Sequence, residues 1–168
     1  MSRAQIYVAF RGGALFFARV LTRLVKLWLP LCLWMIVIFG ASTELGSPRH
    51  TSRFIRPFLL WLNPHMSEEN IEKAHHFIRK TAHFVEYAFL GILAWRVAAF
   101  EPALGKVTSL GPLLLALLFC ALFASTDEFH QKFVPTRQPA VTDVCLDTGG
   151  AACGLLGVWG VRRLLSKK

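Results

Sequence analysis

The sequence predicts an all-α membrane protein: a polytopic bundle of four transmembrane helices. A basic amphipathic segment precedes the first span, and a short interfacial segment joins the first span to the second. Three observations lead there. Hydrophobic residues make up 54% of the 168-residue chain and charged residues only 17%, against about 45–50% and 25% in ordinary globular proteins. Mean hydropathy is +0.46. The apolar residues also gather into runs of the roughly 20 residues that a helix needs to cross a hydrocarbon core. At this length a single membrane domain over residues 1–168 is expected.

The net charge of +9 does not point to nucleic acid, because the basic residues flank apolar runs instead of forming a patch in a polar domain. Beside membrane spans, Lys and Arg set orientation and meet anionic headgroups. Membrane lipids are therefore the expected partners, and no nucleic acid is. The four cysteines, Cys32, Cys120, Cys145 and Cys153, fall in apolar runs with no CxxC pair. They read as small packing residues, not as a disulfide set or zinc site.

Residues 1–23 mix aromatic and aliphatic side chains with Arg3, Arg11, Arg19 and Arg23. No small-residue cleavage site with a polar sequel follows, so the segment is expected to be retained and to lie on the cytoplasmic face. The first span is placed at 24–43, with Pro30 near its start, where a missing N–H is tolerated. Residues 44–66 carry Arg49, Arg53, Arg56, prolines at 57 and 64, and the patch FLLWL. That patch is too short to span and is expected to lie in the interface or to re-enter.

A helix is expected to begin at Ser67, whose hydroxyl suits the cap position, with Glu68 and Glu69 complementing the free N–H groups of the first turn. Nothing interrupts it as far as Phe100, and residues 78–100 make the second span. Residues 107–126 make the third and 140–161 the fourth, closed by Arg162, Arg163, Lys167 and Lys168. With four spans, both termini and the 101–106 loop share one side, which carries eleven Lys and Arg against eight on the other. The positive-inside rule makes that side cytoplasmic. The expected location is the bacterial inner membrane.

The chemistry-bearing residues stand at the outer ends of the last three spans. At about 100° per residue, His76, Arg79, Lys80, His83, Glu86 and Tyr87 share one helical arc. His76 and Arg79 read as a solvated face outside the bilayer, whereas Lys80, His83 and Glu86 read as an inward-facing polar site. Asp143 and Asp147 are four apart and share a face, with Gly150, Ala151 and Gly154 continuing it, so that a neighbouring helix can approach closely. A carboxylate at the depth of Asp147 must pair, take up a proton or meet water. Lys80, His83 and Arg137 are the available partners. Asp127, Glu128 and Gln131 are expected to form an outer loop with Arg137, which suits bidentate contact to phosphate or carboxylate. Its bland role is pairing with Asp143 or Glu128.

These residues fall into three ordered signatures: Lys80, His83, Phe84, Tyr87, Leu90 and Gly91; Asp127, Glu128, Gln131, Phe133, Pro135 and Arg137; and Asp143, Asp147, Gly150 and Gly154. In them the chain resembles the VanZ-like family of small bacterial membrane proteins, named for a glycopeptide-resistance protein associated with reduced sensitivity to teicoplanin. The resemblance covers about half the chain, from Lys80 onward. Thr136 departs from the Gly often found before the Arg, and the N-terminal half adds only a span ending in Ser42 and Thr43.

The resemblance implies a cell-envelope protein and leaves its reaction open. One expectation is a membrane enzyme acting on a lipid-linked or phosphate-bearing envelope precursor. His83 would be its acid, base or nucleophile, Lys80, Arg137, Gln131 and Tyr87 would hold the ligand, and Glu86, Asp127, Glu128, Asp143 and Asp147 would supply carboxylates. The alternatives are a protein that binds or shields the ligand without turnover, and an assembly protein whose charges only fix helix packing. Four carboxylates are enough to hold a divalent cation, but no ligand spacing is diagnostic, so no metal or other cofactor is assigned. No phosphate loop, nucleophile elbow or zinc pattern is present, and no motif indicates an oligomeric state.

Overall fold

Local sequence explains most of the helix ends. The computed structural model describes residues 13, 15–101, 110–135, 137 and 140–166. Most of the N-terminal segment (1–12 and 14), the expected start of the third span (107–109) and Thr136 lie outside the described residues. Helix α1 runs Leu15–Ala41, so residues 15–23 continue the first span instead of forming a separate amphipathic segment. Pro30 therefore sits inside a helix, not at its start. A π-helical turn, Leu24–Trp28, immediately precedes it. Pro30 cannot donate to the Lys26 carbonyl four residues earlier, and that carbonyl accepts from Arg96 Nη2 at 3.1 Å.

After a 3₁₀ turn at Glu44–Gly46, helix α2 (Pro48–Leu62) begins with proline in its first turn, where no N–H is needed. At 15 residues it is too short to span. It shows Phe54, Phe58, Trp61 and Leu62 on its outside, the pattern of a helix lying in the interface. Helix α3 (Glu68–Phe100) starts as its sequence demands, with the Ser67 hydroxyl accepting from Asn70 N at 3.4 Å and Glu68 and Glu69 in the first turn. Helix α4 is Gly111–Gln131 and α5 is Val141–Leu165. No strand occurs among the described residues.

Four helices, α1, α3, α4 and α5, are long and apolar enough to cross a membrane, and they alternate in direction. Trp28 bonds Glu101 while Trp34 bonds the Glu86 carbonyl, so α1 runs against α3. Lys80 meets Asp143 and Trp95 meets Arg162, so α3 and α5 run together. The core between them is built from small and medium side chains, including Ala116, Cys120, Ala124, Ala151, Leu90 and Leu155. Larger residues such as Leu114, Leu118, Leu122, Ile36 and Val37 face outward. Small residues inside and bulky apolar ones outside is how helices pack in lipid, where close backbone approach replaces the hydrophobic drive. At Gly150 an added Cβ would fall against the Phe84 carbonyl oxygen, and at Gly154 against that of Ala88.

Candidate functional site

The alternation of α1, α3, α4 and α5 brings one end of each to a common level, where the polar residues collect. There a cavity of about 480 Å³ is lined from α3 by Glu72, His76, Arg79, Lys80 and His83, from α4 by Glu128 and Gln131, and from α5 by Asp143, Leu146 and Asp147. Arg137, Ala140 and Pro48 complete the wall. Seven of the ten residues singled out in the sequence thus converge: Lys80, His83, Glu128, Gln131, Arg137, Asp143 and Asp147.

Lys80 Nζ and Asp143 Oδ1 pair at 2.5 Å across the α3–α5 boundary. His83 Nδ1 is 3.9 Å from Glu86 Oε2 and 4.0 Å from Asp147 Oδ1, too far for hydrogen bonds. His83 Nδ1 and Asp147 Oδ1 are buried without a hydrogen-bond partner among the described residues. A buried polar group left unbonded costs about 1–3 kcal/mol. The two unbonded atoms stand 4.0 Å apart on residues that line the cavity.

Asp127, Glu128 and Gln131 are not in an outer loop. Helix α4 continues to Gln131, five residues past the expected end of the third span, and turns all three inward, at 0%, 7% and 5% exposure. Their i, i+4 spacing already allowed a helix, and the polar run concealed its length. Asp127 lies beneath the cavity, with Oδ2 accepting from Ser42 Oγ at 2.6 Å and from Gln131 Nε2 at 3.1 Å. Glu128 Oε2 accepts from the Ala140 N–H at 3.0 Å and so ties the end of α4 to the residue before α5. Tyr87 is fully buried against Phe123, with ring centroids 6.2 Å apart, and Tyr87, Glu86 and Asp127 do not line the cavity.

Arg137 pairs with neither expected carboxylate. Its Nη2 donates to the Ala41 carbonyl at 2.6 Å and to Thr43 O at 3.5 Å, tying the α4–α5 connection to the end of α1. Burial works against its charge, and the nearby Asp127, Glu128, Glu44 and Glu86 carboxylates oppose that loss. Its Nε has no partner among the described residues. It thus keeps a donor while anchored to the backbone.

The sequence reading missed Ser42, whose only signal was the Ser/Thr pair closing the first span. It assigned His76 and Arg79 to a solvated face; His76 is exposed and Arg79 half-buried, and both line the cavity. Among the described residues no three His, Cys, Asp or Glu side chains form a metal-holding group. A model of the VanZ/LLP1 family matches residues 27–163.

The chain belongs to the VanZ/LLP1 family. No curated protein and no solved structure matches it. The family match reaches well beyond the three signatures and takes in most of α1. That helix supplies Ser42 to Asp127 and the Ala41 carbonyl to Arg137. In this VanZ/LLP1 protein the end of the first span is part of the support beneath the cavity.

Proposed function

We propose that this VanZ/LLP1 protein binds the anionic headgroup of a lipid-linked cell-envelope molecule in the polar cavity, from the outer face of the bacterial inner membrane. The observation that carries the reading is the 480 Å³ cavity at the ends of membrane-spanning helices, with Arg79, Lys80 and Arg137 on its wall. A cavity at that depth suits an amphiphile, whose headgroup is held by protein while its tail stays in lipid. Arg79, Lys80 and Arg137 supply the positive charge for the anionic group. Carboxylates interleave with the cations, so the ligand also offers hydroxyl or amino donors, as a sugar or peptide headgroup does.

The unbonded His83 and Asp147 support an acid–base step on the bound molecule, with His83 relaying a proton between ligand and carboxylate. Occupying a headgroup that a glycopeptide also recognises would alter teicoplanin sensitivity with or without that step. The competing reading is an assembly protein. It draws on the purely structural bonds of Glu128 and Arg137.

Lipids extracted from the purified protein and weighed by mass spectrometry separate these readings. The native protein is expected to carry an anionic lipid-linked molecule. Lys80→Gln and His83→Ala are expected to lose it at unchanged membrane level. A chemically altered species in cells with the native protein, absent with His83→Ala, establishes turnover. If both variants instead vanish from the membrane, the charges serve packing and the binding reading fails.

A further inference from the structure

The opposite end of the bundle holds a second feature. Between α4 and α5 an apolar groove of about 300 Å³ is lined by Leu113, Leu114 and Leu117 on one side and Leu155, Leu156 and Trp159 on the other. It continues, through the shared residues Leu110, Leu113 and Trp159, into a wider hollow of about 530 Å³. That hollow carries Arg162 and Arg163 and no carboxylate among its described lining residues. The polar cavity, by contrast, interleaves both signs.

The groove alone would not select a ligand, because moving an acyl chain from bilayer to protein exchanges one hydrocarbon surface for another. Its mouth is what discriminates. Arg162 lies over the Trp95 ring at 5.3 Å and Arg163 over Trp159 at 4.3 Å. Indole faces hold the guanidinium planes without neutralising their charge, which leaves N–H edges for an oxyanion. Trp95 and Trp159 also place this mouth at headgroup depth, where tryptophan rings gather.

We infer that this groove and its two-arginine mouth bind one anionic phospholipid, with its phosphate on Arg162 and Arg163 and one acyl chain between α4 and α5. The site is separate from the polar cavity and does not depend on its ligand. In this place the phospholipid seals the seam between α4 and α5 that protein side chains leave open.

The test uses the full chain in nanodiscs of phosphatidylcholine with phosphatidylglycerol, followed by native mass spectrometry of the lipid retained as the disc is stripped. Retention of one phosphatidylglycerol is expected, favoured over phosphatidylcholine by about tenfold or more, on the order of one charge contact per arginine. Arg162→Gln with Arg163→Gln should bring that preference close to unity. Ala152→Phe, which narrows the groove and keeps both arginines, should lower retention, whereas Arg53→Gln, exposed on α2 at the far end, should leave it intact. Equal retention of the two lipids by the native protein overturns the inference, as does a preference that survives both arginine changes. Displacement of the lipid by millimolar inorganic phosphate also overturns it, because the site would then be a free-anion site without a chain slot. Should the double arginine variant fail to insert, the native comparison and Ala152→Phe decide.

Discussion

Asp127 has no exposed surface, and its carboxylate is held by the Ser42 hydroxyl at 2.6 Å and the Gln131 amide at 3.1 Å. A buried carboxylate that loses a donor bears the desolvation of the unpaired oxygen, about 1–3 kcal/mol. Ser42→Ala is therefore expected to lower stability by about that amount, read as an earlier transition in a denaturant titration of the detergent-solubilised protein, with Ser42→Thr close to native. An unshifted transition would mean that the bond between α1 and α4 contributes nothing. Asp127 reads as a strut under the cavity, while Lys80, His83, Asp143 and Asp147 form its wall. The sequence places all five residues near the same membrane boundary but does not separate wall from strut. That distinction depends on which face of α4 meets α1, and the half of α1 that follows Lys26 carries no charge to reveal its partner.

At the scale of the helices, the capped start of α3, a short helix between the first two spans and the glycine approach of α5 to α3 were all legible. Ser67 with two glutamates, a short amphipathic run and Gly150–Gly154 each encode their geometry locally. Two elements were not legible. Helix α4 outlasts its hydrophobic run because Asp127, Glu128 and Gln131 find partners inside the bundle, so a hydropathy boundary ended the span five residues early. The π turn before Pro30 leaves no compositional trace. Helix α2 carries its own expectation. Phe54, Phe58 and Trp61 are exposed on it, and a helix resting on the membrane through that face would have its Trp61 fluorescence quenched by brominated lipid, measured as the difference from Trp61→Phe. Phe54→Ser with Phe58→Ser should reduce that quench. A quench untouched by the double change would mean that α2 does not rest on the membrane through this face.

For the whole molecule, the alternating helices put α2 and the cavity at one end and the start of α1 and the end of α5 at the other. Combined with the excess of basic residues at the latter end, this predicts an outward-facing cavity. In a cysteine-free background, a membrane-impermeant maleimide added to intact spheroplasts should label His65→Cys, and should reach Ser166→Cys only after permeabilisation. The reverse pattern would place the cavity in the cytoplasm and remove the envelope ligand from consideration. Labelling of both from one side would contradict the four-span arrangement itself.

One turn below Asp147, Gly150 lets α5 rest on the Phe84 carbonyl, and Gly154 repeats the contact at Ala88. Two backbones in direct contact have no side chains to slide or repack, so the floor of the cavity holds its shape whether or not a ligand is present. On the proposed function, a headgroup entering there would meet a preorganised site and spend little free energy on reshaping it. Ligands that differ in affinity will then differ mainly in how long they stay, with arrival governed by lateral diffusion through the lipid.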